Sequence, residues 1–266
     1  MKAFLIDLEG TIVKDKSFTP IEGAIEFIKT LKEKNIPFLI ASNNSTHKLS
    51  DLTKALCEKG FPLQEKDIVT PSKLVLSYLK KENITSIIFL GTDNIKEFFE
   101  ENKIKVKLDK DVDAVVVGRD KKINEIKLKM ATSALVLNNA KLFGFHKNRL
   151  IKDEDGLVSP SVGAILECLS YASKKDYKIF GKPDKTYFEY CFKLLNITNP
   201  EDVYMISDDP FTDLAEGKKV TGFKTIFVTS GKYDENILKE LPLEDRPDFV
   251  YPSVKEILKD LDKLLS

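Results

Sequence analysis

Carboxylates cluster at two points of this 266-residue chain in patterns suited to phosphoryl or cation chemistry. In the opening stretch MKAFLIDLEGTIV, a short apolar run (Ala3-Phe4-Leu5-Ile6) stops at Asp7, and Glu9, Gly10 and Thr11 follow. A continuous apolar run bounded by Gly is what a strand buried on both faces of a parallel sheet requires, and such sheets hold ligands beyond the carboxyl ends of their strands. A carboxylate there, beside a second acid and a Gly-permitted turn, can attack phosphorus or bind a hard cation; the plain alternative is a turn that happens to contain Asp. The second cluster follows a strand-like run at 202–207 and reads Asp208-Asp209-Pro210-Phe211-Thr212-Asp213. Asp208 and Asp213, five apart, can face one cation across a tight turn, or Asp209 or Thr212 can simply cap a helix over 214–220.

Two further stretches carry matching chemistry. Ser42-Asn43-Asn44-Ser45-Thr46 closes a strand predicted over 36–41 and offers a hydroxyl and backbone N–H groups to an anion, or else caps the next helix. Lys182 stands between Gly181 and Pro183 at the end of a short apolar run; judged alone, a lysine is most often a solvated surface charge.

The elements that must position these residues alternate strand and helix. Helices are predicted over 20–34, 48–59 and 73–81, then a fresh strand at 86–90, a helix over 95–101, a strand at 113–118 and a helix over 124–136. A polar, loop-like stretch spans 144–160, a helix covers 162–173, and another follows Lys182 over 185–195. A strand at 224–228 and a short edge strand at 248–250 complete the pattern. The segment between roughly 80 and 178 is too long for a loop and reads as an inserted α/β domain. Bulk properties agree with a globular chain: 42% hydrophobic content, and 42 basic against 42 acidic residues, so no net charge draws it to nucleic acid or to an anionic membrane. Cys57, Cys168 and Cys191 are widely spaced, and with only two His they suggest neither a zinc site nor a disulfide framework, so buried small hydrophobes are expected. No signal-like leader or eighteen-residue apolar run is visible, and a cytoplasmic location is expected.

The motifs DLEGT (7–11), SNNS (42–45), GKP (181–183) and SDDPFTD (207–213) stand in the order of the haloacid dehalogenase-like (HAD) hydrolases. With a large α/β insert between the second and third, the whole chain resembles the NagD or p-nitrophenylphosphatase branch. The tract at 113–118 and the run from Gly156 to Gly163 add to the likeness. The paired Asp208-Asp209 and the later Thr229-Ser230-Gly231-Lys232-Tyr233 look closer to phospholysine/phosphohistidine pyrophosphatase-like members. The resemblance implies a Rossmann-like parallel-sheet core from 1–79 and 179–266 with a cap from 80–178. It implies Mg2+-dependent hydrolysis of a small phosphate monoester through an aspartyl-phosphate.

Residue by residue, the resemblance makes Asp7 the nucleophile and Glu9 the acid/base. Ser42 and the Asn43 N–H hold the phosphate, and Lys182 neutralises charge on it. Asp7, Glu9 (through its carbonyl), Asp208 and Asp213 form the Mg2+ environment, with Asp213 or Asp209 orienting waters. Three departures from the family pattern stand out: Glu9 where an aspartate is usual, Ser207 where Gly is usual, and Ser42 where Thr is usual. Glu9 weighs most, because a misplacement of about 1 Å can cost on the order of a hundredfold in rate. Two alternatives stay open: a phosphoamidase or pyrophosphatase, and a catalytically weak protein that binds a phosphorylated ligand. A small phosphorylated metabolite is the expected partner. His146, Lys147, Arg149 and Asp155 in the cap are candidate specificity contacts, with solvated surface as the plain alternative. Relatives with such caps often pair through them, and a homodimer through the cap is a candidate assembly, although the sequence shows no patch diagnostic of it.

Overall fold

A computed structural model describes residues 2–152 and 157–266. The chain divides into two compact units, one made of Met1–Ser42, Leu49–Val69 and Lys182–Ser266, the other of Asn43–Lys48 and Thr70–Gly181. The first contains β1 (Ala3–Ile6), β2 (Phe38–Ala41) and β3 (Ile68–Val69). The second contains β4 (Ser86–Leu90), β5 (Lys105–Val106), β6 (Ala114–Val117), β7 (Lys141–Gly144), β8 (Leu150–Lys152), β9 (Val158–Pro160) and β10 (Tyr177–Ile179). The first resumes with β11 (Val203–Ser207), β12 (Lys224–Val228) and β13 (Phe249–Tyr251).

The first unit is built on a six-stranded sheet in the order β13-β12-β11-β1-β2-β3, with every pairing parallel. Every residue of β1, β2 and β11 is buried, which is why their sequences are unbroken apolar runs and not alternating ones. Helix Ala24–Glu33 turns Ala24, Phe27, Ile28 and Leu31 inward at helical spacing, and helix Leu49–Glu58 does so with Leu49, Leu52 and Leu56. From β1 the chain works outward through β2 and β3. On its return it starts again on the other side of β1 and works outward through β11, β12 and β13. The order therefore reverses between β1 and β11, the place where open α/β sheets bind ligands. Ile6 is in register with both Ile40 and Ile206, so the three central strands end at the same level.

The second unit has its own parallel sheet, in the order β10-β7-β6-β4-β5, and an antiparallel ribbon of β8 with β9. Helices Pro71–Lys81, Asp93–Glu101, Glu125–Leu137 and Val162–Ser173 belong to it. Its core gathers Ile88, Leu90, Val115, Val117, Ala131, Leu135 and Leu166.

The parallel-sheet α/β class expected from the sequence is the class found. Several details differ. The units divide at Thr70 and Lys182, so helix Pro71–Lys81 goes with the second unit. The stretch expected as a loop over 144–160 holds the ribbon, whose Leu150 and Val158 are mostly exposed. A two-stranded ribbon needs no buried face, so it leaves no apolar pattern. Over 214–220 the path is not a plain α-helix: a π-helical segment, Pro210–Glu216, precedes helix Gly217–Thr221. Two of the three cysteines, Cys57 and Cys168, are exposed, against the expectation of burial; only Cys191 is buried. Among the described residues, no helix is long and apolar enough to cross a membrane.

Candidate active site

The site is assembled at the carboxyl ends of β1 and β11. The Asp7 N–H donates to the Ile206 carbonyl at 2.8 Å, which carries the β1–β11 register one residue past the strand, and Asp208 follows the last residue of β11. Lys182 reaches in from the start of the third chain segment. It is 2% exposed, and its ammonium donates to Asp7 Oδ1 and to Asp213 Oδ2, each at 2.5 Å. Helix Lys185–Leu195 anchors this segment: Asp184 caps it by accepting from the Thr186 N–H at 2.8 Å, and the buried Tyr187 hydroxyl donates to the Val69 carbonyl at 2.9 Å.

Asp213 is aimed inward by the π-helical segment. Asp209 starts that segment by accepting the N–H groups of Phe211 and Thr212 at 3.2 and 2.9 Å, with Pro210 as a first residue that has no N–H to satisfy. Ser207 Oγ then donates to Asp213 Oδ2 at 2.8 Å and accepts the Asp209 N–H at 3.1 Å. Asp213 Oδ2 is thus held by both Lys182 and Ser207, so this oxygen acts on the lysine.

Burial governs the electrostatics. It raises Asp7, with Asp208 adding to the rise and Lys182 opposing it. It pushes Asp213 up to about 6 against the pull of Lys182. For Lys182, burial alone would lower the pKa, but Asp213 and Asp7 outweigh it and hold the ammonium above its ordinary value. The lysine is therefore a fixed positive charge on the nucleophile candidate.

Asp208 is fully buried. Its Oδ2 accepts the Lys232 N–H at 2.8 Å, while Oδ1 has no hydrogen-bond partner among the described residues. A buried carboxylate oxygen left this way is costly unless a cation meets it. Two lysines, 182 and 232, stand against four carboxylates, 7, 208, 209 and 213, so two negative charges remain to be balanced. Both observations fit a divalent cation. Among the described residues no three acidic, His or Cys side chains are gathered as metal ligands. Gly10, in the turn after β1, adopts the left-handed region at φ +78°, and a Cβ there would stand 2.1 Å from Asp208 Oδ2. No other residue fits that turn.

The other expected site residues are less tightly drawn in. Glu9 is exposed, and its side chain makes no hydrogen bond or ion pair among the described residues. Ser42 is buried at the end of β2, where its N–H donates to the Val69 carbonyl at 3.1 Å. Asn43 belongs to the second unit, where its side-chain oxygen lies so close to Gly181 that a Cβ there would be 2.5 Å away. Of the candidate specificity residues, His146 is not a surface group. It is 5% exposed, its Nδ1 accepts the Asn148 N–H at 3.3 Å, and burial, with Arg119 nearby, lowers its pKa to about 4. Lys147 and Arg149 are exposed, and Asp155 lies outside the described residues. Ser207, Tyr187 and the 229–233 loop had no site role in the sequence reading.

A profile described as haloacid dehalogenase-like hydrolase matches residues 4–105, and a second, HAD-hydrolase-like, matches residues 179–257. The chain belongs to the haloacid dehalogenase-like hydrolases. An acid sugar phosphatase of Staphylococcus epidermidis is 30% identical over 265 residues, covering 98% of each chain. Among solved structures, a p-nitrophenyl phosphatase from Archaeoglobus fulgidus superposes with a TM-score of 0.87 at 25% identity, over 97% of this chain and 98% of that one. The 4-nitrophenylphosphatase of Thermotoga maritima gives 0.86 at 26% identity, over 97% of both. The NagD and p-nitrophenylphosphatase likeness read from the motifs is thus the likeness found across the full length.

Proposed function

We propose that this HAD-family phosphatase hydrolyses small sugar phosphates with Asp7 as nucleophile and a divalent cation, Mg2+, as cofactor. The observation that carries this reading is the buried Lys182 bridging Asp7 and Asp213, together with an Asp208 oxygen that has no hydrogen-bond partner among the described residues. The full-length likeness to acid sugar phosphatases supports the substrate class.

In this reading the Asp7 oxygen not held by Lys182 attacks phosphorus while the bond to the leaving alkoxide breaks, and Glu9 gives that oxygen a proton. A water then attacks the phosphorus of the aspartyl-phosphate, passes its proton to Glu9, and breaks the Asp7–phosphorus bond to release inorganic phosphate. Lys182 neutralises charge on the nucleophile and the transferring group, and Asp213 with Ser207 keeps the ammonium in place. Ser42 and the Asn43 N–H receive phosphate oxygens. Asp7, Asp208 and the Glu9 carbonyl would hold the cation, which supplies charge neutralisation between the two anions that must meet. A second reading, phospho-ligand binding with weak turnover, is favoured by one observation: Glu9 is exposed, and no hydrogen bond or ion pair among the described residues fixes its carboxylate. A panel of sugar phosphates, phosphoglycolate, pyrophosphate and phospholysine, each with Mg2+ and with EDTA, tests the proposal. Mg2+-dependent release of phosphate from sugar phosphates is expected. Hydrolysis confined to the pyrophosphate or phosphoamide substrates would overturn the substrate class, and saturable binding with no release from any substrate would leave the second reading.

A further inference from the structure

The loop Thr229-Ser230-Gly231-Lys232-Tyr233 belongs to none of the four motifs, yet its contacts converge on Asp208 and on the turn after β1. Ser230 Oγ donates to the Gly10 carbonyl at 2.8 Å. The Lys232 N–H donates to Asp208 Oδ2 at 2.8 Å. A Cβ added to Gly231 would stand 2.1 Å from the same oxygen and 2.5 Å from the Asp208 Cβ. The Tyr233 ring meets Phe211 edge-on at 5.7 Å, fastening the loop to the segment that carries Asp213.

The consequence falls on how Asp208 is presented. Oδ2 is committed to a backbone N–H and hemmed in by Gly10 and Gly231, while Oδ1 is buried with no partner among the described residues. A carboxylate held this way offers one oxygen. Magnesium takes a near-octahedral set of single oxygens, whereas calcium takes six to eight and readily uses both oxygens of a carboxylate. Resting on the metal-dependent reading above, we propose that the 229–233 loop is a clasp that fixes Asp208 as a one-oxygen ligand and so makes the site prefer Mg2+ to Ca2+. Lys232 acts here through its backbone, and Gly231 through its lack of a side chain; both are positioning residues.

The test measures binding alone. The EDTA-stripped full chain is titrated calorimetrically with Mg2+ and with Ca2+, without substrate, and the ratio of the two affinities is compared among variants. Lys232→Pro deletes the N–H and frees Oδ2, so the preference for Mg2+ should fall about tenfold, the worth of a hydrogen bond to a charged group. Lys232→Ala keeps the N–H and removes only a half-exposed ammonium, which acts on both ions alike, so the ratio should stay within about threefold. An unchanged ratio in Lys232→Pro, or an equal shift in both variants, overturns the clasp. If Lys232→Pro fails to fold, Gly231→Ala takes its place. Its Cβ must displace Asp208 and loosen the hold on Oδ2, so the ratio of Mg2+ to Ca2+ affinity should fall about tenfold, and an unchanged ratio overturns the proposal. Absence of Mg2+ binding in the unmutated chain would remove the metal-dependent reading and the clasp together, whereas a failure confined to the variants removes the clasp alone.

Discussion

Lys182→Met removes the ammonium at the centre of the site while keeping most of the side-chain volume. At 2% exposure, with contacts of 2.5 Å to Asp7 and to Asp213, the lysine is the counter-charge for two carboxylates that burial already disfavours. Removing one partner of a buried ionic cluster costs about 3–5 kcal/mol. In a chain of this size each kcal/mol moves Tm by about 2–4 °C, so Tm should fall by about 6–20 °C. Catalysis loses a preorganised charge on the nucleophile, a loss of about 10²–10³ in kcat. Thermal and urea unfolding at pH 7 in EDTA, followed by circular dichroism, read the first effect, and steady-state rates on an aryl phosphate read the second. Adding Asp213→Asn deletes one of the stranded charges and should return about 1–2 kcal/mol. A Lys182→Met protein with the unmutated urea midpoint, and a double variant no different from it, would refute the claim that this charge cluster is buried and coupled.

Other predictions address the neighbouring groups. If Glu9 is the proton donor, Glu9→Ala should slow alkyl phosphates far more than aryl ones, because an aryl oxygen leaves with little of the roughly 10²–10⁴-fold help of a general acid; equal losses on both substrates would remove Glu9 from that role. Asp208→Asn should weaken Mg2+ binding at least tenfold by calorimetry, since it deletes a ligand charge; an unaltered titration would end its assignment as a ligand. His146 has a folded pKa near 4, below its unfolded value, so as pH falls from about 6.5 the unfolded chain takes up a proton first. Stability should drop by about 1.4 kcal/mol per pH unit, about 3 kcal/mol in all by pH 4, with no further loss from this group below that. His146→Gln should flatten that part of the pH profile, and an unflattened one would contradict the histidine's burial as a neutral group.

The parallel sheet and the four motif positions were legible because buried parallel strands leave unbroken apolar runs, and Ala3–Ile6 and Val203–Ser207 end directly in their acids. Lys182 was ambiguous in sequence because nothing local records that its partners lie 175 and 31 residues away. The roles of Ser207 and of the 229–233 loop were invisible for the same reason: a hydroxyl, a glycine and a backbone N–H act through tertiary contact and have no periodicity. Strands β5 and β7 and the β8–β9 ribbon escaped because they are two to four residues long, and a short run bordered by lysines, as at Lys141–Gly144, does not separate strand from loop. His146 was grouped with Lys147 and Arg149 as a candidate specificity contact, with solvated surface as the alternative, because all three fall in one polar stretch, whereas the ring is buried.

The central claim, that Asp7 is the nucleophile of a Mg2+-dependent phosphatase, is tested most directly by the turnover of an aryl phosphate by Asp7→Asn with Mg2+ saturating. Asn keeps the shape of the side chain beside Lys182 and removes the attacking anion. Release of nitrophenol at the rate of a no-enzyme control, from a protein whose circular dichroism matches that of the unmutated chain, is the predicted result. Undiminished turnover by that same preparation, free of contaminating phosphatase, would contradict it.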